Sequence, residues 1–388
     1  MTNPQTGLSQ SDVNRRLVVT GQIAFLPTGV LQTLLGPMLP ILIARWAIND
    51  TQAGNLFLVQ FLASLVGVQL SGVLLARRGF RPAFLFGLLL MACGVSTLYL
   101  GSSALGLVSV AVYGLGLGLI VPSDNLLIAE LSSGSGSRAG QVSLLNFFWG
   151  VGAVFCSLTV AWTAAHKLLP FFLGSVAVFL LLLAWGMRNL PFPPAAPPAG
   201  PSASWRELIK SPAIWLFAAV FFLYPGAETA VGGWIASYVS RMGTREAAMA
   251  SWMPAFFWAA LTVGRAIGTF LLRHASENAV LRAGYAAGVA GIALMLWAPA
   301  LLGVIAGASI TGLSFATMYP IAVARLSQRF GVAARSIGAV MFSLASVGPA
   351  VIPWTVGVIS RNTGSLRAGM LMPLGATLIL FVIHLFEW

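Results

Sequence analysis

Two carboxylic acids stand inside long apolar runs of this chain: Asp124, beyond the glycine-rich stretch that begins at Gly114, and Glu228, in the stretch from Tyr224 to Tyr238. A charge at mid-membrane depth costs at least about 2.5–3.5 kcal/mol on the most lenient insertion scale, so an acid in such a place is a functional candidate. Burial in a medium of low dielectric disfavours the charged form of a carboxyl. A group of this kind carries a proton while facing one side and releases it on the other, which is the requirement for proton coupling. Ser123, Asp124 and Asn125 put three oxygen-bearing side chains in a row, so sodium is the alternative coupling ion. The deep Arg265 offers a counter-charge to either acid, or else snorkels to the membrane edge. Groups suited to a hydroxylated solute lie on the same runs. Gln22, Gln32, Asn125, Asn146 and Glu228 can meet hydroxyls in fixed directions. Trp149, Tyr224, Trp234, Trp258, Tyr319 and Trp354 offer faces to the C–H side of a sugar ring, although each of these rings would also serve as packing. Tyr224, Glu228 and Gly232 recur every fourth residue and share one helical stripe. Pro225, Gly226, Gly232 and Gly233 predict a kinked or partly unwound helix there.

The elements that carry these residues are membrane spans. The chain is 58% hydrophobic and only 8% charged over 388 residues, far from the globular norm of about 25% charged. A spanning helix needs about 20 mostly apolar residues. Twelve such stretches run over residues 17–44, 54–76, 82–101, 104–131, 139–165, 168–188, 212–240, 249–272, 278–297, 299–326, 335–360 and 366–386. The reading is an all-α membrane protein, twelve transmembrane helices in two pseudo-symmetric six-helix bundles, residues 1–188 and 212–388. A Pro-rich strap over 189–211 joins them, with an interfacial helix expected near Trp205. No removable signal peptide is expected, because the residues before Asn14 are polar.

Of the 21 Lys and Arg residues, Arg265 lies within a span and six (Arg45, Lys167, Arg241, Arg245, Arg361, Arg367) fall in one set of loops. The remaining fourteen fall in the other set, which the positive-inside rule assigns to the cytoplasm together with both termini. A multi-pass protein of the cell inner membrane is expected, a monomer in the lipid bilayer. The net charge of +12 then serves topology, and no nucleic acid is expected as partner. Cys93 and Cys156 lie in spans without ligand spacing, and His166, His274 and His384 lie in loops or near the terminus, so no metal site and no cofactor are expected. Gly114, Gly116 and Gly118 lack a following Lys or Asp and suit close helix packing rather than phosphate binding.

The run from Gly72 through Arg77, Arg78 and Gly79 to Arg81 follows the second span, and a weak echo from Gly268 to Arg273 and His274 follows the eighth. These arginines either fix topology or form a cytoplasmic gate, pairing with carboxylates or helix C-termini in one conformation. On its six-plus-six layout the run resembles the major facilitator superfamily along the whole chain. That family's acidic residue in this loop is replaced by Ala76, and Glu130 is the nearest substitute by topology. The stretch Tyr224 to Tyr238, with Gly226 and Glu228, and the stretch Gly338 to Gly357, with Pro349 and Pro353, resemble the branch of fucose/proton symporters and sodium-dependent glucose transporters. Asn125 matches an asparagine of the fucose symporters, whereas their upstream glutamate is replaced by Val121.

This resemblance implies a secondary active transporter working by alternating access, with a hexose-like hydroxylated solute and H+ or Na+ as coupling ion. Asp124 and Glu228 would couple the ion, and Arg77, Arg78, Arg81, Glu130 and Arg273 would form the cytoplasmic gate. The alternative is proton-coupled efflux of an amphipathic organic compound, which would place an acid among aromatic rings with few amides. An enzyme is not expected, since no clustered His, Asp or Cys and no nucleotide loop is present.

Overall fold

The computed structural model describes residues 10–131, 138–193, 210–243, 247–330 and 334–386. The interfacial helix expected near Trp205, most of the Pro-rich strap and the loop position Arg245 lie outside them.

Helices account for almost all of the described chain, because a backbone in hydrocarbon must satisfy its own N–H and C=O groups. They are α1 (Gln10–Thr33), α2 (Leu35–Trp46), α3 (Asp50–Arg78), α4 (Phe80–Thr97), α5 (Ser103–Leu131), α6 (Arg138–Ala165) and α7 (Leu169–Met187). There follow α8 (Pro212–Val239), a 3-10 turn (Ala250–Trp252), α9 (Met253–His274), α10 (Glu277–Trp297), α11 (Leu301–Phe315) and α12 (Met318–Phe330). The chain closes with α13 (Ala334–Thr363), α14 (Leu366–Gly369) and α15 (Leu371–Leu385). Eleven of these stretches are long and apolar enough to cross a membrane, and twelve when α1 and α2, bent by 41°, count as one span. Phe171, Phe270 and Leu302 are among the large apolar side chains left exposed, as a lipid solvent allows.

The expected spans therefore occur, and three of them are broken. The first breaks at Leu34, the tenth at Ala316 and Thr317, and the last at Met370. Pro37, Pro320 and Pro373 follow these breaks, and a proline removes the bond to the carbonyl four residues back while its ring crowds that carbonyl. Proline permits a break without imposing one, for Pro122, Pro225, Pro349 and Pro353 lie within unbroken helices. In particular α8 is continuous from Pro212 to Val239, so the unwinding expected around Glu228 does not occur. There α13 packs tightly on Gly226, next to Ile352 and the Gly348 carbonyl, and supports the helix across Pro225.

The chain forms two compact units. The first comprises Met1–Gln32, Ala63–Cys156 and Thr163–Pro198; the second comprises Thr33–Leu62, Ser157–Trp162 and Ala199–Trp388. In the first unit α3 and α5 meet at glycines, where a methyl on Gly118 would overlap the Ser64 carbonyl. Close packing is thus the role of Gly116 and Gly118, with Gly116 against Gly87 of α4. In the second unit α8 is the central helix, packed against α13, α15, α2 and α9.

Candidate functional site

In the first unit, Asp124 points inward from α5 and has no exposed surface. Neither carboxyl oxygen has a hydrogen-bond partner among the described residues. Room for it comes from Gly21 of α1, since a methyl there would lie 2.5 Å from Asp124 Oδ1 and 3.2 Å from Ile128 Cδ1. Its sequence neighbours do not converge on it. Ser123 donates its hydroxyl to the Leu119 carbonyl (2.6 Å) and Asn125 donates its amide to the Val121 carbonyl (2.8 Å), both within the same helix. Successive helical residues point about 100° apart, so three adjacent oxygens cannot close on one ion.

Two side-chain hydrogen bonds join α1 to α6 in the first unit. Gln22 Nε2 donates to Gln141 Oε1 at 2.7 Å, linking α1 to α6, and Trp149 Nε1 donates to Gln32 Oε1 at 3.1 Å, linking the same two helices. Asn146 donates back to the Val142 carbonyl at 2.9 Å. Arg77, Arg78, Arg81 and Glu130 are exposed at the helix ends of this unit.

In the second unit, Glu228 of α8 is half-buried and sits one turn beyond Tyr224. The Tyr224 hydroxyl lies within hydrogen-bond reach of Glu228 Oε2 and also of the Phe315 carbonyl, the latter at 3.0 Å. The Tyr224 ring packs edge-on to Phe315 (5.5 Å between centroids) and stacks with Tyr319 (6.4 Å). Arg265 of α9 acts electrostatically on Glu228, on Tyr224 and on Tyr319. The arrangement is an acid, a phenol and a guanidinium in an aromatic setting.

Trp234 and Trp258 are turned into the protein. Trp234 has no exposed surface, donates to the Pro353 carbonyl (2.9 Å) and lies 6.2 Å from the Phe57 ring. Trp258 packs on Phe257 and on Gly232. Trp354 donates its indole N–H to Asn55 Oδ1 at 3.0 Å. Arg273 is exposed at the end of α9.

The sequence reading overlooked one polar cluster in this unit. Asp50, at the start of α3, accepts two bonds from Arg241, Nη2 to Oδ1 at 2.5 Å and Nη1 to Oδ2 at 2.9 Å, and a third from the Ser360 hydroxyl at 2.5 Å. The Asp50 side chain is only 12% exposed, against 40% for Arg241. Gly357 of α13 lies so close that a methyl on it would overlap the Asp50 carbonyl. The loops that hold Arg45, Arg241 and Arg361 contain two acids, Asp50 and Glu246, and nothing in the sequence singles Asp50 out, since its partners Arg241 and Ser360 lie 191 and 310 residues away. At the other end of the unit Arg325 binds Glu277 (3.0 Å) and Asn278, tying α12 to α10. Among the described residues no three His, Cys, Asp or Glu side chains are grouped so as to hold a metal.

Comparison with known proteins places this geometry. The family model described as Major Facilitator Superfamily matches residues 23–353. A yeast (Saccharomyces cerevisiae) protein, "Bypass of stop codon protein 6", is 26% identical over 67% of this chain, and the match spans 58% of that protein. A glucose/galactose transporter of Brucella abortus is 24% identical over 96% of this chain and 94% of its own length. Among solved structures, the nucleoside transporter NupG superposes with a TM-score of 0.76 at 14% identity, covering 96% of this chain and 99% of that one. The E. coli fucose:proton symporter FucP superposes with a TM-score of 0.63 at 18% identity, over 96% and 98%.

Proposed function

This chain belongs to the Major Facilitator Superfamily, and on that premise we propose that it is a secondary active transporter of a small hydroxylated solute, a hexose first, coupled to an ion by alternating access. It is a multi-pass membrane transporter with the fold of that family. The observation that carries the finer reading is the Glu228–Tyr224 pair, an acid and a phenol held together in an apolar helix with Arg265 acting on both. Sugar as the solute is supported by the near full-length likeness to the Brucella glucose/galactose transporter. In this reading Glu228 and Asp124 are the ion-coupling acids. Gln22, Gln32, Asn125, Asn146, Trp149, Trp354 and Tyr319 are the solute-binding candidates, with Tyr224, Trp234 and Trp258 behind them. Arg77, Arg78, Arg81, Glu130 and Arg273 serve a cytoplasmic gate, both termini face the cytoplasm, and the protein works as a monomer in the inner membrane.

One observation favours a second reading. Glu228 is bonded to Tyr224, whose ring packs on Phe315 and Tyr319, and Asn125 and Asn146 each give one amide N–H to their own helices. An acid among aromatic rings suits proton-coupled efflux of an amphipathic organic compound.

The deciding experiment is labelled glucose uptake into proteoliposomes under an inward proton gradient, an inward sodium gradient and no gradient. Overshoot with one ion is the expected result. Equal uptake under all three conditions would mean a uniporter. No uptake of glucose, or of other hexoses in turn, would leave efflux as the better reading. Glu228→Gln is expected to abolish gradient-driven accumulation in a folded protein.

A further inference from the structure

We propose that the Tyr224 hydroxyl is a two-position switch that transmits the protonation of Glu228 from α8 to the break between α11 and α12, which makes the coupling ion a proton. The inference rests on the reading of Glu228 as the coupling acid. It follows from a count of protons. A phenol has one O–H to donate and lone pairs with which to accept. The Tyr224 oxygen is nevertheless within reach of two oxygens, Glu228 Oε2 and the Phe315 carbonyl at 3.0 Å. With Glu228 ionised, both neighbours are pure acceptors, and one of them goes without a full bond. With Glu228 protonated, the acid donates to Tyr224 and Tyr224 donates to Phe315, so each oxygen is served by its own proton.

The far acceptor is well placed to respond. Phe315 is the last residue of α11, and carbonyls in the last turn of a helix lack the intrahelical partner that interior ones have. The span is broken just beyond Phe315 at Ala316 and Thr317, and Pro320, in the first turn of α12, has no N–H for the neighbouring Ala316 carbonyl. A bond from Tyr224 therefore pins α8 to the broken span when Glu228 holds a proton. When the proton leaves for water, the Tyr224 O–H swings to the new carboxylate, and the Phe315 carbonyl is released. No bond to carbon changes; one proton passes between Glu228 and solvent, and one hydroxyl rotates. The charged and titratable groups that bear on the pair from neighbouring helices are Arg265 of α9, Tyr285 of α10 and Tyr319 of α12. Arg265 brings a fixed positive charge to bear on the pair from α9. Tyr224 is 3% exposed, and its ring is held by Phe315 and Tyr319, so the oxygen stays in place while its proton moves.

The test is pH-titrated infrared difference spectroscopy on the purified full chain in proteoliposomes, which needs no solute. Wild type, Glu228→Gln and Tyr224→Phe are compared between about pH 4 and pH 10, a range that spans carboxyl and phenol titration. The expected result is a carboxylic-acid band that is lost in Glu228→Gln, together with a tyrosine band that titrates with it and is lost in both variants. If Tyr224→Phe does not fold, ring-deuterated tyrosine in the unsubstituted chain and in Glu228→Gln shows that the band comes from a tyrosine and that it depends on Glu228. A Glu228-dependent acid band with no tyrosine band moving beside it would overturn the switch and leave the coupling reading intact. The absence of any Glu228-dependent band would overturn both.

Discussion

Replacing Asp124 by alanine should make the protein more stable while disabling it. The carboxyl is fully buried and neither oxygen has a partner among the described residues. A buried polar group left unsatisfied costs about 1–3 kcal/mol, and that penalty disappears with the side chain. Against it stands the void left by three heavy atoms, roughly 20–30 Å³, which at about 24 cal/mol per Å³ costs about 0.5–0.7 kcal/mol. Alanine also gains about 0.5 kcal/mol in helix propensity over aspartate within α5. The net is a stabilisation of about 1–3 kcal/mol. Asp124→Asn, which keeps a polar group in the same place, should change little. The assay is thermal unfolding of purified protein in one detergent at one scan rate, because unfolding of such proteins is often irreversible and only matched scans compare. Transport by Asp124→Ala should lose its gradient dependence. A lowered midpoint for Asp124→Ala would refute the reasoning, since it would mean that the carboxyl is bonded in the native state and is structural.

Further substitutions test neighbouring contacts. Gly21→Ala puts a methyl 2.5 Å from Asp124 Oδ1 and should destabilise by about 1–3 kcal/mol in the wild-type background but much less in Asp124→Ala, a non-additivity read from the same melts. Gly118→Ala overlaps the Ser64 backbone carbonyl, which cannot move aside, and should sharply reduce the yield of folded protein; Gly72→Ala meets nothing within 4 Å and should not. Asp50→Asn and Arg241→Gln should each destabilise. Their double-mutant cycle should give a coupling of only about 0.5–1 kcal/mol, because Arg241 is 40% exposed; a coupling near zero would remove the pair from the stability of this unit.

The spans and the two acids were legible because both are properties of short windows. An apolar run announces itself over about 20 residues, and Asp124 and Glu228 are conspicuous because they interrupt such runs. Helix breaks were less legible. Pro37 and Pro320 lie next to breaks while Pro225 and Pro349 lie in continuous helices, so a proline in the sequence does not by itself mark a break. The Asp50 cluster was not legible at all, for its partners lie 191 and 310 residues away.

That cluster bears on the alternating access proposed above. Asp50 and Asn55 come from the first half of the sequence, yet they are built into the compact unit that holds α8 and α13, through Arg241, Ser360 and Trp354. If two six-helix halves rock as proposed, those bonds must break in each cycle. A bidentate ion pair with one exposed partner is well suited to that duty, because water can take over the Arg241 guanidinium as it leaves, whereas a fully buried pair would expose its whole desolvation penalty on rupture. Trp234 marks the other extreme. Fully buried and bonded to the Pro353 carbonyl, it joins α8 to α13 within the second half, and that contact has no reason to open. Its ring also meets Phe57 of α3, so aromatic packing as well as polar bonds joins the two halves of the sequence, and both must yield if the halves are to part.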